Sequence, residues 1–270
     1  MASFKWMIAQ FPAMNQSHPE TNEWVTKTYH EMLSHPEIGE VKLWWKVDTP
    51  ITMLRNRVLI DAERAGVDYL LMVDADMSPD LEGQKPFFHT SWEFMRLHGS
   101  PCVVAAPYCG PSPFEMVYVF RWENSETGDA NPNYAIIPYT RQEAAVMTGF
   151  KEAAALPTGV MAIDMRAIRL MKHPRFYYEW TDETCATKAS TEDVAFSRDL
   201  HVLGVKMYCN WDSWAGHMKM KRVGKPELIH PQDVPHQLRT RAAELNGADY
   251  WSHHSPKPGV VQRLKKLVRK

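Results

Sequence analysis

Apolar residues recur along the chain in short runs, and segments with a helical spacing of apolar and polar positions separate these runs. The runs have the length and composition of β-strands, and they lie at 4–11, 41–47, 67–73, 101–106, 155–164 and 205–210. The intervening segments carry helix start and stop residues, and they lie at 20–33, 50–66, 86–98, 165–171 and 193–203. Strands that alternate with helices predict an α/β fold, with helices flanking an open sheet.

The pattern changes in two parts of the chain. Between 107 and 139, proline, glycine, asparagine and aromatic residues dominate, with β-like runs at 114–122 and 134–139, so we expect a β-rich hairpin or antiparallel flap. From about 226 onward the sequence predicts a helical and loop tail with a basic end. That end suits an anionic membrane or a phosphate backbone, and a solvated helix is the alternative. We therefore expect one domain over 1–225 and a C-terminal extension over 226–270.

Two aspartates, Asp74 and Asp76, follow the apolar run at 67–73. Residues two apart on an extended backbone point to the same side, so we expect both carboxylates to face one point. Convergent carboxylates at the carboxyl edge of an α/β sheet suit a hard divalent cation, Mn²⁺ or Mg²⁺, which can hold the diphosphate of a nucleotide. A solvated turn is the alternative, because Ser78-Pro79-Asp80 has turn composition.

Composition narrows the class of protein. With 270 residues, 44% hydrophobic and 23% charged, the chain has the balance of a soluble globular protein with a full core. The formal net charge of −1 gives no overall field that favours nucleic acid or membranes. No apolar run reaches the roughly 18 residues that span a bilayer, and 1–12 reads as a first strand instead of a secretion signal. The four cysteines form no C-x-x-C pair, which fits a reducing cytoplasm, that of a host cell if the protein is viral.

Four motifs, in this order, resemble those of the GT-A class of nucleotide-sugar glycosyltransferases, closest to its family 2-like and phage-type members. They are Arg55-Asn56 with the strand that ends in Asp74-Ala75-Asp76, then Pro157-Thr158-Gly159-Val160-Met161-Ala162-Ile163, then Thr191-Glu192-Asp193-Val194-Ala195-Phe196, and finally Gly216-His217. The resemblance covers about 40–220. It implies a Rossmann-like mixed sheet, a nucleotide-sugar donor with UDP as the expected carrier, and a direct, inverting displacement.

The resemblance also implies roles on the donor side of the site. His217 stands where the family supplies a further metal ligand beside Asp74 and Asp76, and a histidine that merely lines a loop is the alternative. Asp74 can instead hold the ribose hydroxyls. Arg55 and Asn56 stand where the family builds the nucleotide side of the pocket, and a charged helix face is the alternative.

On the acceptor side, the resemblance selects Asp193 as the base that removes the proton of the acceptor hydroxyl, with Glu192 contacting the acceptor. Both residues open a predicted helix. A helix-capping role competes for the same carboxylate, because Ser190-x-x-Asp193 has the spacing of a capping box.

Five other residues are candidates for binding. Gln10 and Phe11 end the first strand, where the loop borders the ligand crevice of an open α/β sheet, so we expect them to contact the nucleotide base. Lys219 can reach the phosphates, or it belongs to a solvated basic loop. Gly159 permits close approach to a substrate, or it forms a strand bulge. Trp214 can stack on a sugar, although most tryptophans are simply core residues.

The acceptor is the least constrained part of the prediction. The phage-type resemblance and the basic stretches at 219–225 and 263–270 favour DNA with a 5-hydroxymethylated cytosine, although the net charge argues mildly against strong duplex binding. A protein side chain or a cell-surface glycan is the rival acceptor. A nucleotidyltransferase is disfavoured. Sugar-nucleotide pyrophosphorylases usually carry a glycine-rich, basic loop after the first strand, and here 11–16 is neither glycine-rich nor basic. A catalytically silent sugar-binding module is the third possibility.

Overall fold

A computed structural model describes residues 3–12, 17–47, 50–110, 116–123, 135–185 and 188–218, which all belong to one compact unit. Its strands are β1 (Phe4–Phe11), β2 (Ile38–Trp45), β3 (Tyr69–Asp74), β4 (Met77–Ser78), β5 (Cys102–Ala105), β6 (Phe120–Trp122), β7 (Ile136–Pro138), β8 (Phe150–Glu152), β9 (Val160–Asp164), β10 (Glu179–Trp180), β11 (Lys188–Ser190), β12 (Lys206–Asn210) and β13 (Gly216–His217). Its helices are α1 (Pro19–Ser34), α2 (Ile51–Arg64), α3 (Phe87–His98), α4 (Arg141–Ala145), α5 (Met165–Ile168) and α6 (Glu192–Val202).

Seven of the strands form one mixed sheet in the order β2-β1-β3-β9-β5-β12-β8. Strand β1 lies parallel to β2 and β3, and β5 lies parallel to β12. Strand β9 runs antiparallel to both of its neighbours, β3 and β5, and β8 runs antiparallel to β12 at the edge. The predicted class, an α/β fold with a mixed sheet flanked by helices, is confirmed.

Each face of the sheet carries its own hydrophobic core because side chains alternate along a strand. On β3, Leu70 and Met72 pack into the core beneath α2, α5 and α6. Leu71 and Val73, from the same strand, pack into the core beneath α1 and α3. Strand β3 is therefore buried on both sides, and its carboxyl end opens at the sheet edge that carries the two aspartates.

Several predicted boundaries differ from the structure. The run 155–164 forms a strand only from Val160, and Ala155 makes a single bridge to Phe120. The edge strand β8 and the short strand β13, which follows the predicted last strand, were not expected. The flap prediction is supported where the chain is described, because β6 and β7 pair antiparallel.

The predicted boundary between 1–225 and 226–270 falls outside the described residues and stays a prediction. Among the described residues, no helix has both the length and the apolar character needed to cross a bilayer.

Candidate functional site

Arg55 joins two carboxylates that come from distant parts of the sequence. Its Nη2 donates to both oxygens of Asp74 at 3.1 and 3.0 Å, and its Nη1 donates to Glu192 Oε1 at 2.8 Å. Arg55 lies on α2, Asp74 ends β3, and Glu192 opens α6. One guanidinium therefore connects the strand exit with the start of a helix 137 residues further along the chain.

The guanidinium of Arg55 is withdrawn from solvent, with its side chain only 4% exposed. The rings of Phe11 and Phe176 lie near it, with centroids 6.0 and 5.8 Å from its central carbon. Burial favours a neutral group, yet the negative charges of Asp74 and Glu192 outweigh burial and raise the pKa of Arg55. The arginine thus stays charged within the carboxylate cluster.

Burial raises the pKa of Asp74 above its ordinary value, and the charge of Arg55 opposes that rise only in part. The nearby carboxylates of Asp76 and Glu192 add to the rise by repulsion. Arg55 contacts two carboxylates, and a third, that of Asp76, lies near enough to act on Asp74, so the cluster carries an excess of negative charge. An additional cation would be stabilised in these surroundings.

Asp76 meets His217 across a short two-stranded sheet. Strand β4 pairs with β13, which puts Met77 opposite His217 and brings the imidazole Nε2 to 3.3 Å from Asp76 Oδ2. The other ring nitrogen, Nδ1, lies 3.0 Å from the carbonyl oxygen of Cys109. A carbonyl only accepts hydrogen bonds, so Nδ1 carries a proton. Nε2 then donates to Asp76 in the imidazolium form, or in the neutral ring it can share a cation with the Asp76 carboxylate.

This pair has the donor types of a metal site. A carboxylate oxygen and an imidazole nitrogen both suit Mn²⁺, and a histidine that binds a metal usually donates its other ring N–H to a carbonyl such as that of Cys109. Within the described residues, no three His, Cys, Asp or Glu side chains converge closely enough to hold an ion. Asp76 and His217 fit as two protein ligands.

Asp74 and Asp76 do not lie on one extended strand, contrary to the prediction that strand alternation turns both toward one point. Strand β3 ends at Asp74, and residues 75 and 76 form a turn, so the alternation of an extended backbone stops there. As a result, Asp74 faces Arg55 and Asp76 faces His217. The two carboxylates still interact, because the charge of Asp76 affects the pKa of Asp74.

Asp193 serves the end of its own helix. Its Oδ1 accepts a hydrogen bond from the hydroxyl of Thr191 and another, at 3.0 Å, from the backbone N–H of Val194. The predicted capping box at 190–193 is wrong, because the N-cap of α6 is Thr191 and the hydroxyl of Ser190 donates to Glu179 at 2.6 Å. The carboxylate directed at Arg55 is that of Glu192, to which Tyr178 also hydrogen-bonds.

The expected nucleotide-binding residues separate into different surroundings. The side chain of Gln10 donates to Asn22 Oδ1 at 2.7 Å on the α1 face of the sheet. Phe11 is only 3% exposed and packs edge-to-face on Trp44, so it belongs to the core and does not present its ring to a base. Lys219 lies outside the described residues.

Asn56 holds a neighbouring segment of backbone in place. Its amide nitrogen donates to the carbonyls of Thr52 and Phe176 at 2.9 and 2.7 Å. Its amide oxygen accepts from the backbone N–H groups of Arg175 and Phe176 at 2.9 and 3.1 Å. These bonds use the side chain fully, and Asn56 therefore supports the site through Phe176, whose ring lies beside Arg55.

Gly159 and Trp214, expected near the acceptor, are packed by protein. A Cβ atom at Gly159 would lie 2.6 Å from Met77 Cε and 2.7 Å from Tyr108 Cε1, so the close approach that requires glycine is made by these side chains. Trp214 is half-buried and packs against Trp211, with ring centroids 5.7 Å apart.

Tyr108 was missed by the sequence analysis, although it lies between the two halves of the site. Its ring packs edge-on against His217, with centroids 4.9 Å apart, and burial followed by the charge of Asp74 raises the pKa of its hydroxyl. The residue follows β5 in a segment with no periodicity. No signal in the sequence distinguishes it from the other tyrosines of that segment.

Comparisons with known proteins bear on the fold. No protein-family model matches the chain, and no curated protein matches it. The crystal structure of A197 from STIV has 14% identity and a TM-score of 0.52, over 83% of this chain and 99% of that one. GalNAc-T7 with UDP, GalNAc and Mn²⁺ has 12% identity and a TM-score of 0.43, over 90% of this chain and 48% of that one. HddC from Yersinia pseudotuberculosis has 7% identity and a TM-score of 0.33, over 78% of this chain and 92% of that one.

At these identities the likeness to A197 concerns the fold alone. The TM-scores of the other two structures are too low to support an argument about this chain.

Proposed function

We propose that this chain is a GT-A-class glycosyltransferase that is metal-dependent and moves a sugar from a nucleotide sugar, with UDP as the carrier, to an acceptor hydroxyl. The observation that carries the proposal is the carboxylate cluster at the carboxyl end of β3. There Asp74 and Glu192 share Arg55, and Asp76 meets His217. The order of the four sequence motifs supports the same class.

Asp76 and His217 would hold the cation, with Asp74 close by. The chemistry that a bound Mn²⁺ or Mg²⁺ supplies is neutralisation of the negative charge that develops on the departing diphosphate. Arg55 keeps Asp74 and Glu192 in fixed positions on the two sides of this edge. In this way the protein would hold the carboxylates of the site in a fixed orientation before the substrates bind.

Asp193 is the proposed base. As the acceptor oxygen attacks the anomeric carbon, the bond from that carbon to the diphosphate breaks, and the hydroxyl proton passes to Asp193. The helix-end hydrogen bonds both engage Oδ1, so Oδ2 is the oxygen that takes the proton in this proposal. A single displacement of this kind inverts the anomeric configuration. Glu192, held by Arg55, contacts the acceptor.

The proposed acceptor is DNA that carries 5-hydroxymethylated cytosine, which would leave the base stack to reach the site. The phage-type sequence resemblance supports this choice, and a protein or cell-surface glycan is the alternative. A catalytically silent sugar-binding module is the second candidate function. The observation in its favour is that Arg55 already engages both oxygens of Asp74.

The donor half of the proposal is tested by hydrolysis of UDP-sugars in the presence of Mn²⁺. Asp76→Asn and His217→Gln should each abolish the metal-dependent reaction. Asp76→Asn should leave the melting temperature nearly unchanged because that side chain is 37% exposed. Asp182→Asn, in an exposed loop, is the matched control and should keep full activity. Activity of Asp76→Asn equal to that of the unmodified protein would remove Asp76 from the site.

The acceptor half is tested by a screen. Purified protein and Mn²⁺ are mixed with a panel of nucleotide sugars and with hydroxymethylcytosine DNA, and the nucleosides are analysed by mass spectrometry. A mass increase of one hexose on the modified nucleoside is the expected result. Donor turnover with no product on DNA, but with product on a glycan or protein acceptor, would assign the alternative acceptor.

A further inference from the structure

A cavity on the α1 face of the sheet lies apart from the carboxylate cluster. It has a volume of about 390 Å³, and its lining includes Ile8, Gln10, Ser17, Asn22, Leu43 and Trp45. Gln10 and Phe11 are neighbours on β1, so their side chains point to opposite faces of the sheet. Phe11 lies beside Arg55, and Gln10 lines the cavity. The cavity and the arginine therefore occupy opposite faces.

The outer wall of the cavity is an exposed apolar platform on the edge strand β2. Ile8 pairs with Leu43 and Gln10 with Trp45, so all four side chains share one face. Leu43 and Trp45 are each 58% exposed, although they lie on the same face as buried core residues. An indole ring exposed beside a concavity offers a flat surface to the C–H groups of a ring-shaped ligand.

The inner wall supplies hydrogen-bonding groups that are only partly used. Gln10 is 9% exposed, and its amide nitrogen donates to Asn22. That bond leaves the amide oxygen of Gln10 as an acceptor and the amide nitrogen of Asn22 as a donor, with no partner for either among the described residues. The hydroxyl of Ser17 is buried and likewise finds no partner within the described part of the chain. Of these three groups the Ser17 hydroxyl is the one shielded from solvent, so a ligand that pairs with it satisfies an unmet hydrogen bond, while the two amide groups exchange water for the ligand.

The charge of the lining decides the class of ligand. No lining residue within the described part of the chain is charged. A phosphate or carboxylate would lose its hydration there without gaining a cation in return. An apolar platform facing uncharged amides and a hydroxyl suits a neutral ring that carries hydroxyls on its edge.

We propose that this cavity binds a neutral sugar residue, with Trp45 against the face of the ring and Gln10, Asn22 and Ser17 pairing with its hydroxyls. The site is distinct from the proposed donor site, and its occupation does not depend on the transfer reaction. In a protein that modifies a carbohydrate-bearing acceptor, such a site would hold a part of that acceptor remote from the reacting hydroxyl.

The test uses the full chain with 5-fluorotryptophan at its ten tryptophan positions, observed by ¹⁹F NMR. The resonance of Trp45 is assigned by its loss in Trp45→Phe. Methyl glycosides of glucose, galactose and N-acetylglucosamine are then titrated, followed by glucose 6-phosphate and UDP. A saturable shift of the Trp45 resonance with at least one neutral glycoside is the expected result.

Two variants identify the site. Trp45→Ala and Asn22→Ala should each weaken the binding of that glycoside at least tenfold, as measured by saturation-transfer NMR. Both side chains are exposed, so both variants should fold. Trp180→Ala removes an exposed tryptophan on β10 and should bind as the unmodified protein does. The proposal is overturned if no neutral glycoside moves the Trp45 resonance, or if Trp45→Ala binds equally well. It is also overturned if UDP or glucose 6-phosphate binds here more tightly than the neutral sugars.

Discussion

Arg55 and Asp74 form a two-point contact in which one nitrogen of the guanidinium donates to both carboxylate oxygens, at 3.1 and 3.0 Å. The contact lies where strand β3 leaves the sheet, and it is extended by the bond from Arg55 to Glu192. A buried arginine so placed has two consequences. It fixes the relative position of two carboxylates from different elements, and it makes the fold depend on the balance of charge at the site.

Replacing Arg55 should therefore destabilise the protein strongly. Arg55→Gln leaves Asp74 and Glu192 close together without a counter-charge, and breaking a buried pair costs about 3–5 kcal/mol. Arg55→Lys keeps the positive charge but loses the forked geometry of the guanidinium, so its loss of stability should be smaller than that of Arg55→Gln. The measurement is the free energy of unfolding in urea.

The matched control is Arg57→Gln on the same helix, where the side chain is exposed. It should change the free energy of unfolding by no more than about 0.5 kcal/mol. An Arg55→Gln variant as stable as this control would show that the carboxylates do not depend on the arginine.

Asp193→Asn separates catalysis from helix capping. Asparagine keeps an Oδ1 that can accept from Thr191 and Val194 and loses only the negative charge near the helix N-terminus, which contributes about 0.3–1 kcal/mol, so the melting temperature should fall by only a few degrees. If Asp193 is the base, kcat for transfer should fall by about 10²–10⁴ while donor affinity is retained. Single-turnover kinetics together with calorimetric titration of UDP measure the two effects. A variant that binds donor poorly yet turns over normally would contradict the assignment.

Local features were predictable from the sequence, because they depend on neighbouring residues. Gly66 follows α2 with a φ of +62°, and the buried run that ends at Asp74 is the interior strand β3. The end of α2 follows from the glycine as a helix stop signal, and the strand follows from the run of hydrophobic residues. The meeting of Asp76 with His217 was anticipated only through the order of the motifs, since no local pattern relates two residues in different strands.

The remaining features of the site depend on tertiary packing. The bond between Arg55 and Glu192 joins positions 137 residues apart, and no periodicity encodes such a contact. The backbone turn after Asp74 invalidated an argument based on strand alternation. The place of Phe11 at the end of β1 predicts contact with a nucleotide base, but its side chain packs into the core on the α2 face of the sheet.

Asp212 should make stability depend on pH. Its carboxylate accepts from Lys85 Nζ at 2.7 Å and from the backbone N–H of Gly149 at 2.8 Å, and these bonds lower its pKa, the one from Lys85 most. A lowered pKa in the folded state stabilises the protein at pH values above the unfolded pKa, near 4, and this stabilisation is lost as the pH falls through the folded value.

Asp212→Asn should therefore lower the free energy of unfolding by roughly 1 kcal/mol at pH 7, and the difference from the unmodified protein should shrink as the pH falls below about 4. Thermal unfolding between pH 2.5 and 7 measures it. Glu82→Gln, at an exposed position, is the control and should change the free energy of unfolding at pH 7 by no more than about 0.5 kcal/mol. A difference that stays constant across this range would mean that the charge of Asp212 is not what stabilises the fold.

A substitution at Gly159 distinguishes a role in packing from a role in contacting a substrate. In Gly159→Ala the new methyl group would lie within 2.7 Å of both Met77 and Tyr108, so the variant should lose about 1–3 kcal/mol of stability in urea denaturation. The conflict with Met77 involves its terminal methyl group, which Met77→Ala removes. In a double-mutant cycle, the double variant should therefore lose less stability than the sum of the two single losses. Additive losses would show that the two positions do not conflict, and a Gly159→Ala protein of normal stability that has lost activity would instead indicate that this glycine faces a substrate.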